Sequence, residues 1–241
     1  MIIDGPADGA LQMAIDEVLL ESATTDGLAT LRFYKWSQPT LSLGYFQRHA
    51  DRALHAASLN CPLVRRPSGG GAIVHDRELT YSLALPTTHP LAGEPAALYD
   101  TVHESLVRAL AGFGIEARRW DGSIGRPLGE PFLCFERRAA GDILLRGAKV
   151  CGSAQRRKRG AILQHGSVLL TCSARAPDLP GIFDLARTTI SEVELIAGWS
   201  GELTRQPGLS CEPGGLFPGE IEAADRLARE KYAAQSWNHR R

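Results

Sequence analysis

The sequence predicts an α+β fold, in which strands group together and helices lie around and between the groups. Short apolar stretches typical of strands cluster at residues 30–85 and 142–170, and longer stretches show helical spacing of apolar residues. Strands and helices do not alternate strictly, as parallel βαβ units would require, so α+β is the better class. A length of 241 residues with 44% hydrophobic residues fits one large domain over residues 1–241, or one domain with a small appendage.

The individual elements follow in chain order from local patterns. Apolar residues recur at helical spacing in residues 10–22, and a second long helix at 96–113 ends before Gly114, a typical C-terminal cap. Shorter or weaker helices are predicted at 51–59, 190–197 and 219–234. The predicted strands are residues 30–34, 40–43, 63–66, 72–74, 79–85, 142–146, 149–154 and 162–170. Residues 121–131, rich in Gly and Pro, are expected to form a loop, and 171–218 is weakly patterned.

Composition excludes several classes of protein. The formal net charge is zero, which disfavours nucleic acid and anionic membranes as partners. The five cysteines are odd in number and form no CxxC pair, so neither disulfides nor a metal site is expected. The N-terminus does not resemble a signal peptide, and no apolar run approaches the roughly 20 residues of a membrane span. A reducing cytoplasm is therefore the expected location, where thiols stay free to react.

The first stretch that suits ligand binding is residues 65–76 (RRPSGGGAIVHD), which contains a glycine loop at residues 67–71. Glycines let the backbone approach a ligand closely, and their N–H groups can hold an oxyanion or a phosphate. Arg65 and Arg66 can anchor a carboxylate or phosphate through paired hydrogen bonds. A flexible hairpin loop with a solvated arginine pair is the competing interpretation, since glycine-rich turns are common.

The second and third stretches are residues 147–155 (GAKVCGSAQ) and 163–170 (LQHGSVLL). Lys149 interrupts an otherwise apolar strand, where a charge is costly to bury unless it has a partner. Its ammonium can stabilise the oxyanion that forms when a carbonyl is attacked, or it can simply face water from an edge strand. His165 can place an imidazole at a strand bend, or it is an ordinary core or surface histidine.

Together, residues 65–76, 149–155 and 163–170 resemble the lipoate–protein ligase A family, in which similar motifs occur in the same order and at similar spacing. The resemblance covers nearly the whole chain and is weakest at 172–218. It implies a catalytic domain like that of the biotin and lipoate protein ligases, a mixed sheet flanked by helices. It also implies that the glycine loop and Lys149 lie on neighbouring strands, because both would act on one acyl carbonyl.

The resemblance further implies a set of residues that contact the substrate. They are Arg65, Arg66, Ser68, Gly69, Gly70, Gly71, His75, Gly152, Ser153, Ala154, His165 and Gly166.

Two chemistries occur in this family, and residues 133–136 (LCFE) distinguish them. Ligases activate free lipoate with ATP, whereas octanoyltransferases take an acyl chain from acyl carrier protein through a cysteine thioester. The segment resembles the transferase branch, which implies Cys134 and Lys149 as the catalytic residues. By the same resemblance, the accessory C-terminal domain of many ligases is not expected after residue 241, which favours the transferase branch, although some ligases carry that domain on a separate chain.

A cysteine suits this chemistry because a thiolate exchanges readily with a thioester, and the product remains reactive toward an amine. A nearby cation should favour the thiolate of Cys134, with Lys149, His75 and His165 as candidates. A small buried packing residue is the alternative interpretation of Cys134, and it is the preferred one for Cys151.

Residues 136–140 (ERRAA) depart from the transferases, which have Asp followed by Pro or Ser after Cys-Phe, so the contacts with the acyl donor are expected to differ. The basic run at 156–159 can receive an acidic carrier protein, or it is a solvated turn. A nucleic-acid role for four basic residues at zero net charge is a poor third interpretation.

The implied function is transfer of an octanoyl group from acyl carrier protein to a lysine of a lipoyl domain. The acceptor would be the glycine cleavage H protein or the E2 subunit of a 2-oxoacid dehydrogenase. No cofactor is expected, since ATP and magnesium belong only to the alternative, an ATP-dependent lipoate ligase. A non-catalytic relative that binds acyl chains or lipoyl domains is a second alternative. A narrow apolar tunnel is expected for the acyl chain, because each buried methylene contributes about 0.8 kcal/mol.

Overall fold

The computed structural model describes residues 1–122, 131–206 and 208–240. The strands are β1 (Ile2–Ile3), β2 (Thr30–Tyr34), β3 (Thr40–Leu43), β4 (Leu63–Arg65), β5 (Ile73–His75), β6 (Glu78–Pro86), β7 (Ala117–Arg119), β8 (Ile143–Leu145), β9 (Ala148–Lys158) and β10 (Ala161–Leu169). The α-helices are α1 (Gly9–Thr25), α2 (Pro95–Gly112), α3 (Ile182–Ala186), α4 (Glu192–Thr204), α5 (Pro218–Leu227) and α6 (Gln235–Asn238). Short 3-10 helices cover His49–Leu54, Ala56–Ser58, Pro90–Ala92 and Cys134–Glu136, and a π-helical turn, Ala228–Tyr232, continues α5.

The strands form two sheets. The larger sheet has the order β1-β2-β6-β10-β9-β8-β7, and all its neighbours are antiparallel except β1 and β2. The smaller sheet has the order β4-β3-β5, with β3 parallel to β4 and antiparallel to β5. The predicted α+β class, with mixed sheets flanked by helices, is confirmed.

Helices cover both faces of the larger sheet, and its central strands are buried on both faces. Every residue of β6 and β10 is buried. On β6, Leu83 and Leu85 pack in the core that α2 and α4 complete, whereas Ala84 between them packs with α1 and α5. This alternation is the two-residue period of a strand, and it leaves β6 and β10 as the rigid centre of the scaffold.

Two predicted helical regions differ from the structure. Residues 51–59 form parts of two 3-10 helices rather than one helix, because His55 between them has a non-helical backbone (φ −129°, ψ 87°). Residues 171–218, expected to hold one short helix, contain α3 and the longer α4. Most of the predicted loop at 121–131 lies outside the described residues. In the parts of the chain that the structure describes, no helix combines the length and the apolar composition of a membrane span.

The prediction that the glycine loop and Lys149 lie on neighbouring strands is wrong. The loop joins β4 to β5 in the smaller sheet, whereas Lys149 is on β9 of the larger sheet. The two are nevertheless brought together by a bridge just after the loop. Ala72 donates to the carbonyl of Phe132 (3.0 Å), and the N–H of Cys134 donates to the carbonyl of Ala72 (2.7 Å). The bridge places the Cys134–Glu136 helix between the loop and β9.

Gly44 follows β3 and lies against the glycine loop. A Cβ added at Gly44 would overlap the backbone carbonyl oxygen of Gly70. Because the obstacle is backbone rather than a flexible side chain, either the loop or the end of β3 would have to move. The position of the loop thus depends on a residue without a side chain.

We therefore expect Gly44→Ala to lower the free energy of unfolding by about 1–3 kcal/mol, the usual cost of overpacking. The matched control is Gly112→Ala at the end of α2, where an added Cβ meets no atom within 4 Å. That substitution should be neutral or slightly stabilising, since alanine is the better helix former. Urea unfolding of both variants measures the difference, and equal stabilities would contradict the proposed close approach.

Candidate active site

The glycine loop is held from the interior by Arg66. Its guanidinium donates to the carbonyls of Gly71 (2.7 Å), Gly69 (3.3 Å) and Ser42 (3.0 Å). Burial lowers the pKa of Arg66 to about 10, so the side chain stays charged at neutral pH. Since these donors are directed at loop carbonyls, Arg66 orients the loop rather than leaving it a flexible hairpin.

Arg65 points away from the loop and is fully buried. It donates to the carbonyls of Gly44 (3.0 Å), Gln47 (2.7 Å) and Asn238 (2.9 Å), and so ties β4 to α6. It lines neither of the cavities described below. The contacts thus give Arg65 a structural task, and a contact with substrate stays only a prediction.

Ser68 fastens the loop to the larger sheet. Its hydroxyl is hydrogen-bonded to Nε2 of His165, whose Nδ1 lies 3.3 Å from Asp16 Oδ2. Asp16 also pairs with Arg32 (3.0 Å) and accepts from the hydroxyl of Tyr34 (3.0 Å). Burial alone would raise the pKa of Asp16, but His165 and Arg32 together lower it, so Asp16 is a carboxylate. Both ring nitrogens of His165 are therefore engaged.

His75 occupies a similar buried position beside the loop. It is hydrogen-bonded to Ser42 (2.7 Å) and to Glu78, and its ring stacks on Trp36 with 3.8 Å between centroids. Burial lowers the pKa of His75 although the Glu78 carboxylate opposes this. His75 and His165 thus serve as fixed hydrogen-bonding walls, and Lys149 is the cation that lies close to the thiol of Cys134.

The candidate site centres on Cys134, Lys149 and a carboxylate that sequence reasoning missed, Asp142. Lys149 Nζ lies 3.8 Å from Cys134 Sγ, 3.3 Å from the Cys134 carbonyl oxygen and 2.8 Å from Asp142 Oδ2. The side chains of Lys149 and Asp142 are only 4% and 2% exposed. Burial alone would lower the pKa of Lys149, but its electrostatic interactions with Cys134 and Asp142 raise it, so the ammonium is retained. An ammonium at this distance stabilises a thiolate.

Helix α2 supplies two further residues that sequence reasoning missed. Tyr99 donates to Asp142 Oδ1 (3.1 Å), and His103 is hydrogen-bonded to the Gly141 carbonyl (2.7 Å) and to Ser153 Oγ (2.6 Å). Their spacing of four residues places both on one face of α2. That spacing is visible in the sequence and could have indicated that the two side chains act together. The helix therefore positions the segment that carries Asp142.

Two cavities meet at Cys134. The outer one is open and measures about 760 Å³, and the inner one measures about 50 Å³. Gly70, Cys134 and Ser153 line both. The other predicted site residues of the inner cavity are Arg66, Gly69, His75, Gly152, Ala154, His165 and Gly166, and those of the outer cavity are Gly71 and Lys149. Ser68, like Arg65, lines neither.

The inner cavity exposes mainly apolar surface, although polar side chains also stand in its wall. Arg66, His75, Thr80 and His165 share its wall with Met13 and with other apolar side chains. In the described parts of the chain, no group of three or more His, Cys, Asp or Glu side chains is close enough to hold a metal ion.

The basic run at 156–159 does not form one continuous patch. Arg156 lies over the ring of Tyr45 (5.8 Å), Arg157 donates to the carbonyl of Gly93 (3.2 Å), and Lys158 pairs with Glu21. Successive side chains of β9 point to opposite faces, so Arg157 lies on the face opposite to Arg156 and Lys158.

The model of the lipoyl protein ligase A/B catalytic domain matches residues 8–184. The chain belongs to this family. Octanoyltransferase LipM of Kyrpidia tusciae is 34% identical over 267 residues, covering 98% of this chain and 97% of that protein. Octanoyltransferase LipM of Bacillus subtilis is 30% identical over 274 residues, covering 100% and 97%.

Solved structures agree with this family at the level of the fold. An ATP-bound lipoate-protein ligase A gives a TM-score of 0.80 at 20% identity, covering 99% of this chain and 97% of that chain. A bi-partite lipoate protein ligase from Thermoplasma acidophilum gives 0.77 at 21% identity, covering 99% and 94%. The resemblance to lipoate protein ligases that the sequence motifs indicate is confirmed.

The buried histidine of α2 makes the stability of this family member dependent on pH. Burial lowers the pKa of His103 to about 3, whereas an unfolded histidine titrates near about 6.5. Below that value the unfolded chain binds a proton that the folded chain does not, so stability falls as the pH falls. On acidification from pH 7 to pH 5, His103 alone should lower the free energy of unfolding by on the order of 2 kcal/mol.

Urea unfolding of the wild type and of His103→Gln at both pH values tests this expectation. Glutamine does not titrate, so the variant should lose less stability than the wild type on acidification. His239→Gln, at an exposed histidine, is the matched control and should behave as the wild type. A wild type and a His103→Gln variant with equal pH dependence would contradict the assignment of a neutral, buried His103.

Proposed function

We propose that the chain is an octanoyltransferase that moves an octanoyl group, through a thioester on Cys134, to a lysine of a lipoyl domain. The observation that carries the proposal is the 3.8 Å separation of Lys149 Nζ and Cys134 Sγ at the junction of two cavities. Relatives named octanoyltransferase LipM, 30% and 34% identical over nearly the whole chain, support the choice of reaction.

In the first step the Cys134 thiolate attacks the carbonyl carbon of an octanoyl thioester. The new C–S bond forms at Cys134, the donor C–S bond breaks, and the donor leaves as a thiolate that then takes up a proton. Lys149 stabilises the attacking thiolate and is close enough to donate to the oxygen that becomes negative. Such charge stabilisation is commonly the largest single contribution to catalysis of acyl transfer.

In the second step the neutral amine of the acceptor lysine attacks the thioester on Cys134. A C–N bond forms, the C–S bond breaks, and the proton lost by the nitrogen passes to the released thiolate of Cys134, which becomes a thiol again. No oxidant, metal or nucleotide is needed, because the energy of the thioester is enough to form the amide. The proposed enzyme therefore needs no cofactor, and it works as one catalytic domain over residues 1–241.

The two cavities suit different parts of the substrates. The outer cavity is open and wide enough for the arm of an acyl carrier protein or for the lysine of a lipoyl domain. The inner cavity receives the acyl chain and must widen to hold eight carbons. Met13 in its wall is the side chain best able to move, since methionine is unbranched and adapts to irregular spaces.

The proposed partners follow from this reaction. Acyl carrier protein is the donor, because it presents acyl chains as thioesters on a long arm. The acceptor is a lipoyl domain, carried by the glycine cleavage H protein or by an E2 subunit. In support, the bi-partite ligase from Thermoplasma acidophilum belongs to an archaeal lipoylation system that includes its E2 lipoyl domain.

Cys134→Ser tests the covalent step. We expect the wild type to gain the mass of one octanoyl group when it is incubated with octanoyl–acyl carrier protein, and Cys134→Ser to gain none. Cys151→Ser is the matched control, since burial raises the pKa of the Cys151 thiol far above its usual range and keeps it inert. Intact-protein mass spectrometry measures the adduct. If the wild type stayed unmodified and transferred lipoate only with ATP, the chain would be a ligase rather than a transferase.

Lys149→Ala tests the proposed charge stabilisation. Loss of one such donor typically slows the chemical step by about 10²–10³. Lys158→Ala, at an exposed lysine of the same strand, should leave the rate unchanged. Single-turnover transfer rates and melting temperatures are measured together, so that a loss of folding is distinguished from a loss of rate. If a folded Lys149→Ala protein transferred the acyl group at a rate within twofold of the wild type, Lys149 would have no part in the mechanism.

A further inference from the structure

The hydroxyl of Ser153 belongs to a chain of hydrogen bonds that crosses the larger sheet. This series of hydrogen bonds runs from Gln155 Nε2 to Gln164 Oε1 (2.8 Å), then from Gln164 Nε2 to the hydroxyl of Tyr81 (2.8 Å). It next joins the Tyr81 hydroxyl to Ser153 Oγ (2.7 Å). It continues from Ser153 to His103 Nε2 (2.6 Å). Ser153 is the member that lines both cavities beside Cys134.

The direction of the chain is set at the His103 end. The carbonyl of Gly141 can only accept, so Nδ1 of His103 must carry a hydrogen and donate it. A neutral ring then has a bare Nε2, which can only accept, so Ser153 Oγ–H donates to His103. Since Ser153 has used its one hydrogen, the bond with Tyr81 must be donated by the Tyr81 hydroxyl.

The opposite end agrees with this direction. Gln155 Nε2 donates to the carbonyl of Pro95 (2.8 Å), which can only accept, and this fixes the orientation of the Gln155 amide. The same nitrogen donates to Gln164 Oε1, so Gln164 Nε2 faces Tyr81 and donates to it. The Tyr81 hydroxyl therefore accepts from Gln164 and keeps its own hydrogen for Ser153.

A hydroxyl has one hydrogen and two acceptor lone pairs. At Ser153 the hydrogen is committed to His103 and one lone pair to Tyr81, so one lone pair remains for a ligand in the cavities. A group that contacts Ser153 Oγ must therefore bring its own hydrogen. The hydroxyl is unsuited to stabilising an oxyanion and suited to receiving an N–H group.

We propose that Ser153 Oγ accepts a hydrogen bond from the lysine amine that attacks the thioester on Cys134. The proposal rests on the proposed function and assigns a residue to the second step alone. The bond directs the nitrogen lone pair away from Ser153, leaving it available for the acyl carbon. Ser153 orients the amine and does not take its proton, since burial holds His103 in the neutral form that receives the Ser153 hydrogen.

The opposite strand leaves room for this arrangement. Gly166 of β10 faces Ser153, and a Cβ added there would overlap Ser153 Oγ and approach the Tyr81 ring. Any larger residue would displace the hydroxyl from the junction of the cavities. The glycine before Ser153 has a parallel role, because a Cβ at Gly152 would collide with the Lys149 side chain.

The test compares two nucleophiles on the same acyl-enzyme. Wild type and Ser153→Ala are first octanoylated at Cys134, and intact mass confirms the adduct. Each acyl-enzyme is then mixed either with a lipoyl domain, whose nucleophile is an amine, or with the thiol form of acyl carrier protein, which reverses the first step. Ser105→Ala, which removes a buried hydroxyl of α2 that lines neither cavity, is the matched control.

We expect Ser153→Ala to slow transfer to the lipoyl domain by about tenfold, the value of one hydrogen bond, and to leave transfer to the thiol within about twofold. If Ser153→Ala slowed both transfers equally, Ser153 would act on the fold or on the thioester that the two reactions share, and the proposal would be overturned. If the variant slowed only transfer to the thiol, the N–H group that Ser153 receives would belong to the arm of acyl carrier protein, which would also overturn the proposal. Failure of the wild type to form an adduct would instead contradict the proposed function.

Discussion

The buried ion pair between Lys149 and Asp142 is the interaction on which the rest of the site depends. Taking two charges out of water costs several kcal/mol per ion unless further hydrogen bonds compensate. Here the compensation comes from the Tyr99 hydroxyl, the N–H of Ala139 and the carbonyl of Cys134. The ion pair therefore requires α2, the segment before β8 and the Cys134–Glu136 helix to be in place together.

Much of the fold was predictable because its signals are local. The strands at 30–34 and 40–43 agree with β2 and β3, and the long helix at 96–113 agrees with α2 to within one residue at each end. The 3-10 turns at 51–59 were not predictable, because no residue pattern in that polar and alanine-rich stretch predicts the non-helical backbone of His55. Its conformation is set by the rest of the fold rather than by propensity.

The sequence predicted the two residues at the centre of the candidate site but not the side chains that surround them. Cys134 and Lys149 stand in recognisable motifs, whereas Asp142, Tyr99 and His103 become partners through the packing of α2 against the larger sheet. The arginines before the glycine loop illustrate the same limit. A guanidinium has five donors, and a sequence pattern does not tell whether they will face a ligand or, as here, backbone carbonyls.

The bridge between Ala72 and Leu133 ties the Cys134 segment to the strand connection of the smaller sheet, whereas Lys149 is built into the larger one. The thiol and the ammonium are thus attached to two different sheets, and the 3.8 Å between them depends on how those sheets pack together. Because the attraction between charges weakens with separation, a substitution in that packing would change the interaction of Lys149 with the sulfur without touching either residue.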